Sequence, residues 1–225
     1  MLLTIVKFAA RALPVSVKQR IYQMKPLAEF MRTRLNKVMP NGIADVEIAG
    51  GLLYGYRLAL DMQTEKDYWL GTYESELQEC ITNYVKPGWT IYDVGANIGY
   101  ISLVFAKIIG ERGKVFAFEA LPENITRLKE NIALNNKEDV VILIDKAVID
   151  SERFAKFFIG PSNAMGKVEG SVGKKIFTDD QIVVKGISLD EFLRKNEEHP
   201  PDLIKIDIEG GEVLALKGMK SILQS

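Results

Sequence analysis

The sequence predicts an α/β protein with a doubly wound, mostly parallel sheet, preceded by a helical and short β extension. Short runs rich in Val, Ile and Phe suit strands that are buried on both faces of a parallel sheet. Such runs lie at Thr90–Val94, Val115–Phe118, Val140–Ile144 and Leu203–Ile206. Helical patterns at Ile98–Ile109 and Pro122–Asn135 separate the first three runs. This alternation of strand and helix is typical of a doubly wound fold.

The composition excludes several classes of protein. The chain has 225 residues, of which 47% are hydrophobic, 29 are basic and 30 are acidic. This balance excludes disordered, collagen-like and disulfide-rich chains, and the length favours one domain with an appendage over two full domains. A single His, His199, and a single Cys exclude a zinc site built from those residues, so no metal is expected. The lone cysteine fits a reducing compartment, and we expect a cytoplasmic protein.

Residues 1–40 differ in charge from the rest of the chain. They contain eight basic residues and one acid, Glu29, whereas the remainder contains 21 basic and 29 acidic residues. Apolar residues at helical spacing from Leu2 to Leu13 predict a short basic amphipathic helix. We expect this arm to pack on its own domain or on a partner; peripheral contact with a membrane surface and a signal or anchor are the alternatives. Nucleic-acid binding is not expected, because the arm lacks interleaved aromatic residues and the rest of the chain is acidic.

Local signals place two elements between the arm and the alternating region. Turns at Asn41-Gly42 and Gly50-Gly51 flank a short β region that reaches Asp61. An apolar face from Leu77 to Val85 predicts a helix, on which Cys80 is expected to be buried as a small hydrophobe.

The alternation breaks after the third strand. Arg153–Pro161 and Gln181–Ser188 have the pattern of extra strands, joined by a polar loop. Leu189–Asn196 then predicts a helix that leads into the fourth strand.

An acidic residue stands at the end of each of the four buried strands: Asp93, Glu119, Asp145 and Asp207. Ligands of open parallel sheets bind outside the carboxyl ends of the strands, so the four acids predict a single binding crevice. In the turn after the first strand, Gly95 and Gly99 would let a ligand approach the backbone closely. Glu119 lies where such folds bind a ribose.

Two cofactors compete for this geometry. A dinucleotide fingerprint would place glycines at positions 97 and 100, but the chain has Asn97 and Tyr100 there, and Asp93 would set a carboxylate beside a pyrophosphate. S-adenosylmethionine instead presents an ammonium, a sulfonium, ribose hydroxyls and an adenine amino group, which carboxylates suit. The residues therefore favour S-adenosylmethionine, with a nicotinamide-dependent oxidoreductase as the less favoured alternative.

Several motifs, in this order, resemble those of FkbM-family methyltransferases, over roughly Tyr68 to Leu223. They are Gly71-Thr72-Tyr73-Glu74, Asp93-Val94-Gly95-Ala96-Asn97-Ile98-Gly99-Tyr100, Phe118-Glu119-Ala120, Ser188-Leu189-Asp190 and Ile204-Lys205-Ile206-Asp207-Ile208-Glu209-Gly210-Gly211-Glu212. The resemblance implies a class I, Rossmann-like methyltransferase domain at 68–225, behind an N-terminal extension at 1–67. It further implies S-adenosylmethionine-dependent O-methylation of a hydroxyl on a small molecule, sugar, glycan or natural product.

The resemblance also suggests residue roles. The motif around Asp93, Gly95 and Asn97 would cradle the methionine part of the cofactor, and Glu119 would bind the ribose hydroxyls. Asp145 and Ala147 would lie on the adenine side. Glu74 would close over the cofactor; the alternative is that it is an ordinary acid in the first turn of a helix.

Asp207 and Glu209 are the candidate catalytic bases. Together with Lys205 they share one face if the fourth strand stays extended that far, and a base beside a sugar hydroxyl accelerates its attack by roughly 10²- to 10⁴-fold. The alternative is that Lys205 pairs with Asp207 and that the glutamates accept backbone donors at the start of the next helix. His199 lies at the opposite end of the strand and is expected to be a solvated loop residue.

The resemblance also predicts strands that this chain does not contain. Class I methyltransferases typically have seven strands, whereas the pattern here stops after strand four and one helix. We therefore expect a domain truncated after strand four, as a fragment or as a chain completed by a partner. The alternative is a non-catalytic cofactor-binding or scaffold module. An open sheet edge would also favour self-association.

Overall fold

The computed structural model describes residues 41–160, 166–172, 180–196 and 200–224, together with Val17, Met24 and Thr33. The predicted amphipathic helix from Leu2 to Leu13 and His199 lie outside the described residues. The chain divides into two compact units. The first runs to Tyr84 and includes Ala133–Asn136; the second comprises Val85–Ile132 and the chain from Lys137.

Within residues 41–84, the first unit contains an antiparallel hairpin and two helices. Strand β1 (Ile43–Glu47) pairs with β2 (Arg57–Asp61), and the helices are α1 (Lys66–Leu70) and α2 (Ser75–Tyr84). The expected β region is therefore confirmed. Trp69 is buried, and its indole N–H donates to the carbonyl of Glu47 at 3.1 Å.

Cys80, expected to be buried, is instead exposed. The buried residues of α2 are Gln78 and Ile81, three positions apart. Cys80 precedes Ile81 by one residue and is thus rotated by about 100° around the helix, away from the buried face.

The second unit contains a four-stranded parallel sheet in the order β10–β3–β4–β5. Its strands are β3 (Thr90–Val94), β4 (Lys114–Phe118), β5 (Val141–Ile144) and β10 (Leu203–Ile206). These bounds agree with the predicted runs to within one residue. All but the first residue of β3 and of β4 are buried, as expected for the central strands of a parallel sheet.

The described part of this unit contains four helices, three of which directly follow a strand of this sheet. They are α3 (Tyr100–Ile109), α4 (Pro122–Ala133), α5 (Leu189–Asn196) and α6 (Glu212–Lys217), and a short 3-10 turn covers Ile222–Gln224. The predicted start of α3 at Ile98 is two residues early. Asn97 and Gly99 take positive φ angles of 51° and 88°, which a right-handed helix does not contain.

The extra strands form a second sheet in the order β6–β9–β7–β8. Its strands are β6 (Ala147–Val148), β7 (Arg153–Phe158), β8 (Lys167–Val168) and β9 (Gln181–Ile187). The two long strands are the predicted extra strands, and they pair antiparallel, whereas the two-residue strands β6 and β8 were not predicted.

An aromatic cluster packs α5 against the parallel sheet. Tyr92 of β3, Phe116 and Phe118 of β4 and Phe192 of α5 are buried. Their contacting ring pairs have centroids 4.9 to 5.7 Å apart in tilted-edge geometries. Such pairs each contribute about 0.5–1.5 kcal/mol beyond the buried area. The cluster packs on β3 and β4, which carry Asp93 and lead to Glu119.

Among the described residues, no helix combines the length and apolar character needed to cross a bilayer.

Candidate functional site

The turn between β3 and α3 contains three residues with left-handed backbone. The φ angle is 80° at Gly95, 51° at Asn97 and 88° at Gly99. The amides of Gly95 and Ala96 donate to the carbonyl of Phe118 at 3.0 and 2.9 Å. The end of β4 therefore holds the turn in place, with its backbone at the carboxyl edge of the sheet.

The two glycines of this turn leave no room for a side chain. A Cβ on Gly95 would lie 2.0 Å from the carbonyl oxygen of Asp207, and a Cβ on Gly99 would lie 2.3 Å from Cδ1 of Leu128. The amide of Asp207 in turn donates to the carbonyl of Val94 at 3.0 Å. The structure thus places Gly95, a predicted cofactor residue, directly against the backbone of Asp207, a predicted catalytic residue.

Glu119, directly after β4, lies beside the same turn. Its Oε2 accepts the amide N–H of Asn97 at 2.8 Å, and its Oε1 accepts the amide N–H groups of Ala120 and Leu121, each at 2.9 Å. The side chain of Asn124 is a further hydrogen-bond partner. Sequence positions 97 and 119, both predicted to bind the cofactor, are therefore joined by a direct hydrogen bond.

Burial raises the pKa of the Glu119 carboxyl above its ordinary value of 4.5. The hydrogen bonds from the surrounding N–H groups oppose this rise, because they stabilise the ionised form. The residue is only 9% exposed. Glu119 is therefore an acceptor held in a fixed orientation. Because its pKa is raised, it becomes protonated at a higher pH than an exposed glutamate does.

Asp93 lies within β3 and is completely buried. The hydroxyl of Ser102 donates to its Oδ2 at 2.6 Å, and the ammonium of Lys205 lies 3.1 Å from its Oδ1. The same ammonium donates to the carbonyl of Gly95 at 2.8 Å and lies 3.9 Å from Oδ2 of Asp207. The pairing of Lys205 with Asp207, which was the alternative to a catalytic role, is therefore the longer of its two ion pairs.

Asp207 and Glu209 are both exposed, but the backbone conformation at Glu209 is no longer that of the strand. Asp207 follows β10 directly, and its side chain is 63% exposed. The strand ends at Ile206, and Glu209 has a φ of 46°, so the extended alternation that would align the three charged residues stops before Glu209. The amide of Gly210 donates to Oε1 of Glu212 at 3.1 Å, as the alternative interpretation of this turn anticipated.

A segment of the second sheet lies against this turn. The amide of Val172 donates to the carbonyl of Gly210 at 2.8 Å, and Lys167 donates to the carbonyl of Val172 at 3.3 Å. A Cβ on Gly210 would lie 2.1 Å from the carbonyl oxygen of Val172. Residues 166–172 therefore pack on the chain directly after Glu209, one of the two predicted bases.

Two further predicted cofactor residues lie just after β5 and in β6. Asp145, directly after β5, is exposed, and Ala147 is buried in β6. The amide of Glu119 donates to the carbonyl of Ile144 at 3.1 Å, which brings the end of β5 beside the end of β4. Glu74 is exposed, has a φ of 46° and belongs to the first compact unit, so its closure over the cofactor stays a prediction.

Three polar residues of the site were not predicted as its members: Ser102, Asn124 and Lys205. Ser102 is a small polar residue in a largely apolar helix, and Asn124 lies in the first turn of α4. Lys205 could have been found from the alignment of β10 with β3, which places it opposite Asp93. No group of His, Cys, Asp and Glu in the described part of the chain could hold a metal ion.

Comparison with known proteins identifies the family. The sequence profile described as the Methyltransferase FkbM domain matches residues 93–225, more than half of the chain. "Hexuronic acid methyltransferase AglP" of Haloferax volcanii is 34% identical over 135 residues, which cover 60% of this chain and 52% of that protein. "Probable cobalt-precorrin-6B C(15)-methyltransferase (decarboxylating)" of Sulfolobus acidocaldarius is 27% identical over 60% of this chain and 71% of that protein.

The matched segment thus spans about half the length of the first of these relatives. Among solved structures, a putative rRNA-methylase from Clostridium thermocellum is 27% identical over 32% of this chain and 41% of that chain, with a TM-score of 0.32.

The family match confirms the resemblance inferred from the motifs, and the parallel order β10–β3–β4–β5 confirms the predicted α/β class. Both Asp93, at the start of the match, and the turn after β10 lie inside the matched segment. The chain belongs to the FkbM domain family of S-adenosylmethionine-dependent methyltransferases.

Proposed function

We propose that this protein transfers a methyl group from S-adenosylmethionine to an oxygen atom of a sugar or glycan. The observation that carries the proposal is the arrangement of the Gly95–Gly99 turn between the carboxylate of Glu119 and the backbone of Asp207. This arrangement joins a backbone cradle, a fixed acceptor and an exposed acid at one edge of the sheet.

The residues present fit this cofactor. The turn offers left-handed backbone at the carboxyl edge of the sheet, and the carboxyl of Glu119 offers an acceptor for ribose hydroxyls. In our proposal the methionine part lies along Gly95, Asn97 and Gly99. The end of β5, with Asp145 and Ala147, lies on the adenine side.

The fully buried Asp93 acts in this proposal through its neighbours. Its two oxygens are engaged by Ser102 and Lys205, so it supports the turn from beneath. Contact between Asp93 and the cofactor is not needed for that role.

Asp207 is the residue proposed to accept the proton of the acceptor hydroxyl. S-adenosylmethionine, when bound, supplies an electrophilic methyl group on a sulfonium. The protein must then align the acceptor oxygen with that methyl group and remove its proton. The exposed carboxylate of Asp207 follows directly from β10, and its backbone touches the Gly95 turn, so an acceptor at this edge would meet both.

The acceptor class is proposed from the relative that is named a hexuronic acid methyltransferase. A hexuronic acid carries both hydroxyls and a carboxylate. A hydroxyl needs a base to become a good nucleophile, whereas an ionised carboxylate does not. Glycans that contain a hexuronic acid are therefore the first acceptors to test.

The test is transfer of an isotope-labelled methyl group from S-adenosylmethionine to glycans with and without a hexuronic acid, followed by mass spectrometry of the product. We expect labelled product from the hexuronic acid glycan, and a rate lower by about 10²-fold or more in Asp207→Asn if a hydroxyl is methylated. An unchanged rate in that variant would move the base to Glu209, or would assign the reaction to the carboxylate if Glu209→Gln also leaves the rate unchanged. Cofactor binding without transfer to any glycan would contradict the proposed acceptor class.

A further inference from the structure

Lys205 occupies an unusual position for a lysine. The register of β10 with β3 places it opposite Asp93, so the two side chains emerge on the same face of the sheet. The side chain of Lys205 is 12% exposed and that of Asp93 is 0% exposed. Burying two charges is favourable only if they are paired and their remaining hydrogen-bonding groups are satisfied.

The ammonium of Lys205 contacts more than its counter-ion. Its Nζ donates to the carbonyl of Gly95 at 2.8 Å, lies 3.1 Å from Oδ1 of Asp93 and lies 3.9 Å from Oδ2 of Asp207. The contact with Gly95 is a hydrogen bond, whereas those with Asp93 and Asp207 are ion pairs that hold the charge of the ammonium between the two carboxylates. The three acceptors belong to the strand beneath the turn, to the turn itself and to the proposed base.

We propose that Lys205 is a positioning residue that holds the cofactor turn and the carboxylate of Asp207 in register with each other. The inference rests on the proposed function. Its grip on the Gly95 carbonyl fixes the peptide between Gly95 and Ala96, whose amide donates to Phe118 on the other side. Its charge draws the exposed carboxylate of Asp207 towards the same turn.

The opposing view is that Lys205 only neutralises Asp93. Under that view, removal of both charges together should restore the folded state and the site. Under our proposal it should restore the folded state and leave the turn loose. The double variant Lys205→Met with Asp93→Asn separates the two, because it removes the buried ion pair without leaving an unpaired charge.

The first measurement is amide hydrogen exchange in the Gly95–Gly99 turn of the full chain without cofactor. The amides of Gly95, Ala96, Asn97 and Gly99 all donate within the protein, so their exchange reports opening of the turn. In the double variant we expect exchange faster by about tenfold or more, the factor for losing a hydrogen bond to a charged group. Exchange at the wild-type rate in a folded double variant would overturn the proposal.

The second measurement is the dissociation constant of S-adenosylmethionine, with the methylation rate. Both should worsen by about tenfold or more in the double variant, as expected when a turn that contacts the ligand loses its orientation. Absence of cofactor binding in the wild type would contradict the proposed function, whereas the exchange rates would still decide the role of Lys205.

Two further variants separate the positioning role of Lys205 from its charge and from general effects of losing an ion pair. Lys205→Arg keeps the charge for Asp93, but its planar guanidinium holds its donors in fixed directions that a compact ammonium does not have, so exchange in the turn should still accelerate in a folded protein. Wild-type exchange in this variant would overturn the proposal even if the double variant does not fold. Lys137→Met is the matched control. The side chain of Lys137, which precedes β5, is 18% exposed and pairs at 2.6 Å with Glu111, which precedes β4. Loss of this ion pair should change neither the exchange rates in the turn nor the affinity for the cofactor.

Discussion

At the scale of single residues, Glu119 combines burial with a ring of N–H donors. Burial raises the pKa of its carboxyl above 4.5, and the donors keep the ionised form available. The same donors come from the turn and from the start of the loop to α4, so the carboxylate both shapes the site and, in our proposal, binds ribose hydroxyls. Its protonation state should therefore be visible in cofactor affinity.

We expect the affinity for S-adenosylmethionine to fall as the pH is lowered through the raised pKa of Glu119. Below that pKa the carboxyl is protonated and loses acceptor capacity for the ribose hydroxyls. Glu119→Gln should bind the cofactor more weakly by about 1–3 kcal/mol near neutral pH and should lose this pH dependence. Calorimetric titrations from pH 4 upwards, with the unfolding midpoint as a control for the turn, measure both. An identical pH dependence in the variant would remove Glu119 from cofactor recognition.

Asp207 and Glu209 can be separated in the same way. Asp207→Asn should lower the single-turnover methylation rate by at least ~10²-fold with little change in cofactor affinity, as loss of a general base implies. Glu209→Gln should lower the rate less, because the left-handed turn takes Glu209 out of line with β10. A larger loss in Glu209→Gln than in Asp207→Asn would reverse the assignment of the base.

At the scale of elements, periodicity located the strands because strands buried on both faces leave an apolar run in the sequence. All four strands of the parallel sheet were found in this way, and the same reasoning found β7 and β9. The strands β6 and β8, of two residues each, are too short to leave a pattern.

The sequence predicted less of the site than of the sheet. The acids at the strand ends could be listed, but their contacts depend on strand order and register, which are long-range properties. The pairing of Lys205 with Asp93 requires β10 to lie beside β3. The hydrogen bond from Lys205 to Gly95 joins residues that are 110 positions apart along the chain. The alternation of side chains along β10 ends before Glu209 because Glu209 has a φ of 46°. A glutamate gives no sequence signal for a left-handed conformation.

The turn between β3 and α3 gives a prediction about backbone space. Gly95 and Gly88 both have positive φ, at 80° and 84°, but a Cβ on Gly88 would meet nothing within 4 Å. Gly88→Ala should therefore cost only the left-handed strain of about 1–2 kcal/mol in unfolding free energy. Gly95→Ala would in addition place a Cβ only 2.0 Å from the backbone carbonyl oxygen of Asp207, and it should also abolish measurable cofactor binding. Equal stability and cofactor affinity of the two variants would contradict the close packing of turn and strand.

At the scale of the whole molecule, a parallel sheet carries the Gly95–Gly99 turn, and a second sheet adds a segment beside Gly210, directly after Glu209. Residues 166–172 pack on the turn at Gly210, so this second sheet is our proposal for the source of acceptor contacts. The basic residues 1–40 are proposed to pack on the domain or on a partner, with peripheral membrane contact as the alternative. The match covers 52% of the hexuronic acid methyltransferase, so the activity of the whole protein is proposed from a part of that relative.

The most direct test of the central claim is calorimetric titration of the purified protein with S-adenosylmethionine and, separately, with NAD. Binding of S-adenosylmethionine, weakened by about 1–3 kcal/mol in Glu119→Ala, together with no heat of binding for NAD, is the predicted result. The nicotinamide alternative is disfavoured by Asn97 and Tyr100, where a dinucleotide site would have glycines. Binding of NAD, or an S-adenosylmethionine affinity that Glu119→Ala leaves unchanged, would contradict the account.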